Sequence, residues 1–284
     1  MKSLSGLQQF FHNAVSLLSA AKSDYHFSLR DYWMYFRFAE CPGPGKKFPE
    51  VVSTGDDTPF ERFTIGSFSY YWPKGSPLEM IPWLYQEVFE PARDNSHAYE
   101  YGGSRIGEGD IVIDAGSCEG FFTRYALGKG ARVIAIEPVE LLAAALEKTF
   151  SEEIKRNDVT VINAALGSAT STGYLLSNPE RIFESHLDTA GTTVKIFPLD
   201  DLVSGKTDFI KMDIEGAEVE ALQGAERIIR EYKPRLSIAV YHAYENPQRI
   251  IDYLRTIRPD YIIVHRGICA YGNERPRPMM VYAW

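Results

Sequence analysis

From Asp110 onward the chain alternates short apolar runs with longer segments whose apolar residues recur at helical spacing. Ile111-Val112-Ile113-Asp114 is an apolar run closed by an acid, followed by a glycine-rich turn and a predicted helix over residues 121–127. Arg132-Val133-Ile134-Ala135-Ile136-Glu137 repeats the form, with a helix over residues 141–150. Val159-Thr160-Val161-Ile162-Asn163-Ala164-Ala165 predicts a third strand. Asp208-Phe209-Ile210-Lys211-Met212-Asp213 predicts a fourth, with its helix over residues 218–231. Arg235-Leu236-Ser237-Ile238-Ala239-Val240-Tyr241 is the fifth, with a helix over residues 247–256. Tyr261-Ile262-Ile263-Val264 is the sixth, and residues 279–283 supply a last one. Such continuous apolar strands, separated by helices, predict an α/β fold with a Rossmann-like, mostly parallel sheet flanked by helices.

Residues 1–106 carry no such rhythm. They are rich in aromatics, prolines and glycines, as in Cys41-Pro42-Gly43-Pro44-Gly45 and Phe68-Ser69-Tyr70-Tyr71-Trp72-Pro73. The division expected is an N-terminal helical and irregular or β-rich cap over residues 1–106, serving substrate binding or oligomerisation, and a catalytic domain over residues 107–284. Leu7, Phe10, Phe11, Ala14, Val15 and Leu18 form one face of an amphipathic helix within residues 4–21. With Gln8, Gln9, His12 and Asn13 it is too polar for a membrane span, and it suits packing within the protein or a homodimer contact.

Several predicted strands end in a polar group: Asp114, Glu137, Asn163, Asp213 and His242. In a parallel sheet ligands bind beyond those ends, so the series predicts a site. The first turn reads Asp114-Ala115-Gly116-Ser117-Cys118-Glu119-Gly120, which is not the Gly-x-Gly-x-x-Gly of dinucleotide binders. Its leading acid would repel a pyrophosphate and suits the cationic amino group of S-adenosylmethionine. Glu137 is placed to accept both ribose hydroxyls. Adenine would lie against Asn163-Ala164-Ala165-Leu166-Gly167. A tight turn without a ligand, or an NAD site, are the competing readings of the same loop.

The net charge of -8 over 284 residues, 45% of them hydrophobic, removes the electrostatic footprint expected of a nucleic-acid binder. Three scattered cysteines without a Cys/His cluster argue against zinc and fit a reducing, cytoplasmic setting.

Phe209-Ile210-Lys211-Met212-Asp213-Ile214-Glu215-Gly216-Ala217-Glu218 resembles the FkbM-type methyltransferase family. The likeness continues through Ala221-Leu222-Gln223-Gly224-Ala225, Leu199-Asp200-Asp201-Leu202 and Ile136-Glu137-Pro138, covering roughly residues 107–241. It implies a Rossmann-like class I methyltransferase sheet, S-adenosylmethionine as donor and a hydroxyl oxygen as acceptor. In it Asp114, Gly116, Gly120 and Glu137 match cofactor positions. Ser117, Phe121, Pro138, Ala164, Ala165 and Asp213 complete the expected cofactor site. Ser117-Cys118-Glu119 departs from the commoner family string.

Methyl transfer is an in-line displacement, so positioning does much of the work, but an alcohol must also lose its proton. Asp213 is the first candidate as base or orienting carboxylate, with Glu215, Glu218 and His242 nearby. His242 is either a base or a merely hydrogen-bonded strand-end histidine. A divalent ion held by these acids with Asp200 or Asp201 is the less favoured reading, because spacing alone fixes no geometry. Tyr70, Tyr71, Trp72, Trp83, Tyr85, Tyr99 and Tyr101 are lid or core candidates, Tyr99-Glu100-Tyr101-Gly102-Gly103 foremost, and His265-Arg266-Gly267 reads as a loop. The expected substrate is a small glycosyl, polyketide or peptide-derived molecule. N-methylation and a non-catalytic scaffold are the alternatives.

Overall fold

The computed structural model describes residues 23–38, 49–270 and 275–284. The amphipathic stretch over residues 4–21 and the Cys41-Pro42-Gly43-Pro44-Gly45 run lie outside them. The described N-terminal part consists of α1 (Leu29–Phe38), an antiparallel sheet of β1 (Val51–Asp57), β2 (Phe60–Ile65) and β3 (Phe68–Pro73), and α2 (Ile81–Phe89). Period-two alternation explains the sheet: Phe63 and Ile65 on β2, and Tyr70 and Trp72 on β3, are buried, while Arg62, Thr64, Ser69 and Tyr71 are less so.

After it come β4 (Ile111–Ala115), α3 (Phe121–Gly128), β5 (Arg132–Ile136), α4 (Glu140–Thr149), α5 (Ser151–Lys155) and β6 (Val159–Ile162). A second small sheet follows, made of β7 (Ala165–Leu166), β8 (Ser171–Leu176), β9 (His186–Asp188) and β10 (Thr192–Phe197). The chain closes with α6 (Leu199–Leu202), β11 (Phe209–Met212), α7 (Glu218–Gln223), α8 (Glu226–Tyr232), β12 (Arg235–Ala239), α9 (Asn246–Ile257), β13 (Ile263–Cys269) and β14 (Arg277–Ala283).

The central sheet has the order β13-β14-β12-β11-β4-β5-β6, parallel except for β14. It is the Rossmann-like class I methyltransferase arrangement. Successive side chains of β4 face opposite layers: Ile113 joins the core beneath α7, α8 and α9, while Val112 joins the core with Phe121, Phe122 and Leu146. The second core also takes in Phe63, Ile65, Tyr70 and Trp72, so the N-terminal sheet shares a hydrophobic interior with the central one. Tyr70 meets Phe121 edge to face at 4.8 Å, an arrangement aromatic quadrupoles favour. Asp31 on α1 accepts a hydrogen bond from Gly267 N, and Arg266 lies 4.6 Å over the Tyr101 ring, so the His265-Arg266-Gly267 segment is part of β13 and fastens the N-terminal part down.

The single helix expected over residues 218–231 is broken at Gly224. A Cβ there would lie 2.1 Å from the Gly167 carbonyl oxygen, and the Gly224 carbonyl accepts from Asp200 N. The carboxylate of Asp200 then receives the N–H groups of Arg227 and Ile228 at the start of α8, a capping interaction that restarts the helix. Among the described residues no helix is long and apolar enough to cross a membrane.

Candidate active site

Strand order reverses between β4 and β11, and a parallel sheet opens a crevice at such a point. A cavity lies there. Of the residues proposed for the cofactor, Gly116, Glu137, Pro138, Ala164, Ala165 and Asp213 line it, and Glu215 lines it too. Gly116 is required by space as well as backbone: φ is 77° and a Cβ would fall 1.9 Å from the Asp213 carbonyl oxygen.

Glu137 closes β5 and is buried. Its carboxylate accepts from Cys118 N at 3.0 Å and Val139 N at 2.9 Å, which aims it across the turn. Burial pushes its pKa up to about 7, the two backbone donors holding back a larger rise. Glu119, buried one residue after Cys118, is likewise raised by burial to about 7.

Four expected cofactor residues do not line the cavity. Asp114 is fully buried; its carboxylate pairs with Lys211 Nζ at 3.1 Å and accepts from Thr123 Oγ1 at 2.7 Å. Lys211 also donates to the carbonyls of Ala115 and Gly116, so a buried ion pair braces the glycine turn. Ser117 donates to the Asp114 carbonyl at 2.7 Å, Gly120 packs against Phe150 and Leu146 in a left-handed conformation, and Phe121 sits in the core. These four residues shape the loop from behind.

The Lys-x-Asp-x-Glu-Gly-x-Glu string divides its labour. Lys211 turns inward to the loop, while Asp213 faces the cavity. Glu215 and Gly216 form the turn, with φ of 55° and 103°. The buried Glu218 accepts from the Ile214 and Gly216 amides. Glu218 Oε1 lies 2.9 Å from Nδ1 of His242, though off the axis of a well-aligned hydrogen bond, and its Oε2 accepts from Asn246. Nε2 of His242 points to Asp213 Oδ1 at 3.4 Å and Glu215 Oε2 at 3.5 Å.

Burial would lower the His242 pKa, but Glu218, Glu215 and Asp213 together hold it well above the usual imidazole range. Asp213 is buried too, yet His242, His97, Lys211 and the Tyr99 hydroxyl keep its carboxyl below the usual range.

Sequence reasoning did not find His97, whose Nε2 is 3.5 Å from Asp213 Oδ2 and whose pKa burial lowers to about 4. Tyr99, singled out beforehand, donates to Asp213 Oδ2 at 2.7 Å. Of the other aromatics named with it, Tyr70 and Trp72 are buried in the core, and Tyr85 and Tyr101 pack against it. Asp200 and Asp201 stand apart from the carboxylate group: Asp200 caps α8, and Asp201 accepts from Thr170. The second sheet, also unforeseen, supplies Leu175, Leu187 and His186 to the cavity lining along with Ala165.

Residues 106–261 match the Methyltransferase FkbM domain. No curated protein matches the chain. Among solved structures, the chain is similar to a methyltransferase FkbM from Methylobacillus flagellatus KT, with 28% identity, a TM-score of 0.48, and coverage of 63% of this chain and 44% of that one. It thus spans less than half the length of that protein. Precorrin-6y C5,15-methyltransferase from Geobacter metallireducens GS-15 is 14% identical, with a TM-score of 0.40 and coverage of 63% and 82%. TYW2 of M. jannaschii, solved in complex with AdoMet, is 15% identical, with a TM-score of 0.44 and coverage of 84% and 92%. The family match extends over more than half of the sequence, from the strand before the glycine turn to the end of the helix after His242, and the chain belongs to the FkbM methyltransferase domain family.

Proposed function

We propose that the chain is an S-adenosylmethionine-dependent methyltransferase acting on a hydroxyl oxygen of a small molecule. The observation that carries this reading is a cavity at the sheet's reversal point, with the Glu137 carboxylate on one side and the Asp213 carboxylate on the other. Glu137 stands where a ribose diol needs an acceptor, and Ala164, Ala165, Leu175 and Leu187 offer adenine an apolar slot. The acceptor oxygen enters on the Asp213 side and attacks the methyl carbon in line. The carbon–sulfur bond breaks, its electron pair returns to sulfur, and the donor leaves as the neutral thioether. The hydroxyl proton passes to Asp213 or through it to water. Asp213 is held ionised for that contact by Lys211, His97, His242 and Tyr99.

Calorimetric titration with S-adenosylhomocysteine tests the donor half. Glu137→Ala should weaken binding by about 2–4 kcal/mol, roughly 30- to 800-fold, because charge-assisted hydrogen bonds to the ribose are lost. An unchanged dissociation constant removes Glu137 from the site, and no binding by the wild type removes the donor. Mass-shift assays on matched hydroxyl and amine panels test the acceptor half. Methylation of amines alone would replace the hydroxyl reading, and binding without any turnover would favour a scaffold.

A further inference from the structure

The contacts of Nε2 of His242 have an unusual length. At 3.4 Å from Asp213 Oδ1 and 3.5 Å from Glu215 Oε2, they exceed the roughly 2.7–3.2 Å of N–H···O hydrogen bonds. They match the edges of a coordination polyhedron instead: donors about 2.1 Å from an ion at tetrahedral angles lie about 3.4 Å apart. One donor atom from each of the three side chains falls within 4.8 Å of the other two. Nε2 of His242 and Oδ1 of Asp213 are both buried and neither makes a hydrogen bond, although the His242 side chain is only 9% exposed. Buried polar atoms without a hydrogen bond are rare in folded proteins, so two of them converging with a third carboxylate oxygen point to a ligand.

We propose that Asp213, Glu215 and His242 form a site for a first-row divalent cation, for which Mn²⁺ serves as the spectroscopic probe. Imidazole nitrogen draws first-row transition ions, and carboxylate oxygen draws the harder ions; Mn²⁺ accepts both. The surroundings are arranged as metal ligands require. Glu218 lies against Nδ1, which leaves Nε2 to face the ion, and Glu218 is itself fixed by Asn246 and two backbone amides. Tyr99 occupies Oδ2 of Asp213 and leaves Oδ1 available. The turn that carries Glu215 is held in a left-handed conformation, a strain typical of functional turns. Binding would expel any proton from Nε2.

The role of the ion rests on the reading of this cleft as the acceptor face. There it would bind the acceptor oxygen and make its proton easier to lose at neutral pH.

The test titrates Mn²⁺ into the full-length, EDTA-stripped protein and follows the free-ion signal by electron paramagnetic resonance. Wild type should bind one Mn²⁺ per chain, and Zn²⁺ should displace it. His242→Ala and Asp213→Asn should each weaken binding about 10- to 100-fold. Glu215→Gln, at the more open edge of the site, should weaken it without disturbing the fold and so serves where the buried variants do not fold. Glu220→Gln, on an exposed side chain paired with Arg249, should leave it unchanged. Absence of wild-type binding overturns the site, as does binding that none of the three ligand variants weakens. S-adenosylhomocysteine titration of the stripped protein separates the two readings: retained thioether binding with no Mn²⁺ binding strikes the metal site alone, whereas loss of thioether binding strikes the donor site.

Discussion

Glu137 combines deep burial with a carboxyl that ionises near neutrality, and this predicts how donor binding follows pH. Its folded-state pKa of about 7 lies above the ordinary carboxylate range, so the charged acceptor form is present above about pH 7 and lost below it. Ribose hydroxyls bind the charged form better, so a proton must leave on binding in the acidic range. The affinity for S-adenosylhomocysteine should therefore fall as pH drops below 7, by up to about tenfold per unit, and should level above it. Glu137→Gln should flatten the profile; a wild-type profile already flat between pH 5 and 8 would sink the assignment. Strand-end acids were legible from the sequence because each closes an apolar run. Which way each one faces was not. Asp114 and Asp213 look alike as strand ends, but Lys211 takes up the first and leaves the second to the cavity. His97 lies 116 residues before Asp213 in an irregular segment, and no periodicity marks it.

The turn between β4 and α3 shows how one backbone position governs an element junction. Gly116→Ala combines a left-handed φ of 77° with a Cβ only 1.9 Å from the Asp213 carbonyl oxygen. The strand end carrying Asp213 would have to retreat. The substitution should cost more than about 3 kcal/mol and lower Tm by at least about 6 °C; calorimetry finding a shift below about 2 °C would contradict it. The parallel strands were readable because burial on both faces makes them apolar throughout, as the pattern of β11 shows. The second sheet was not, for the opposite reason. β8 buries one residue of six, Leu175, and β10 one of six, Val194, so neither presents a hydrophobic pattern to read. Glycine contact, not composition, likewise split the helix at Gly224.

On the scale of the whole molecule, the family match begins at residue 106, yet the core does not. Phe63, Ile65, Tyr70, Trp72 and Ile81 share one buried cluster with Phe121, Phe122 and Leu146. The N-terminal part is therefore integral to folding, whatever it adds to substrate choice. A chain of residues 104–284 should lose its cooperative thermal transition and bind a hydrophobic dye, because the apolar layer over α3 and α4 is stripped. A sharp transition with no dye binding would show the catalytic part to be self-sufficient. The sequence marks a change of rhythm between residues 1–106 and 107–284, and the shared core runs across that change.

The place of β14 bears on how the protein is made. It follows β13 in the chain but lies between β12 and β13 in the sheet, hydrogen-bonded to both. β4, β5, β6, β11 and β12 can pair in the order of their synthesis, while β13 has no neighbour until residues 277–283 emerge. Until then the open edge of β12 is exposed to other nascent chains. Completion of the sheet thus waits on residues 277–283, which must enter between two strands made before them.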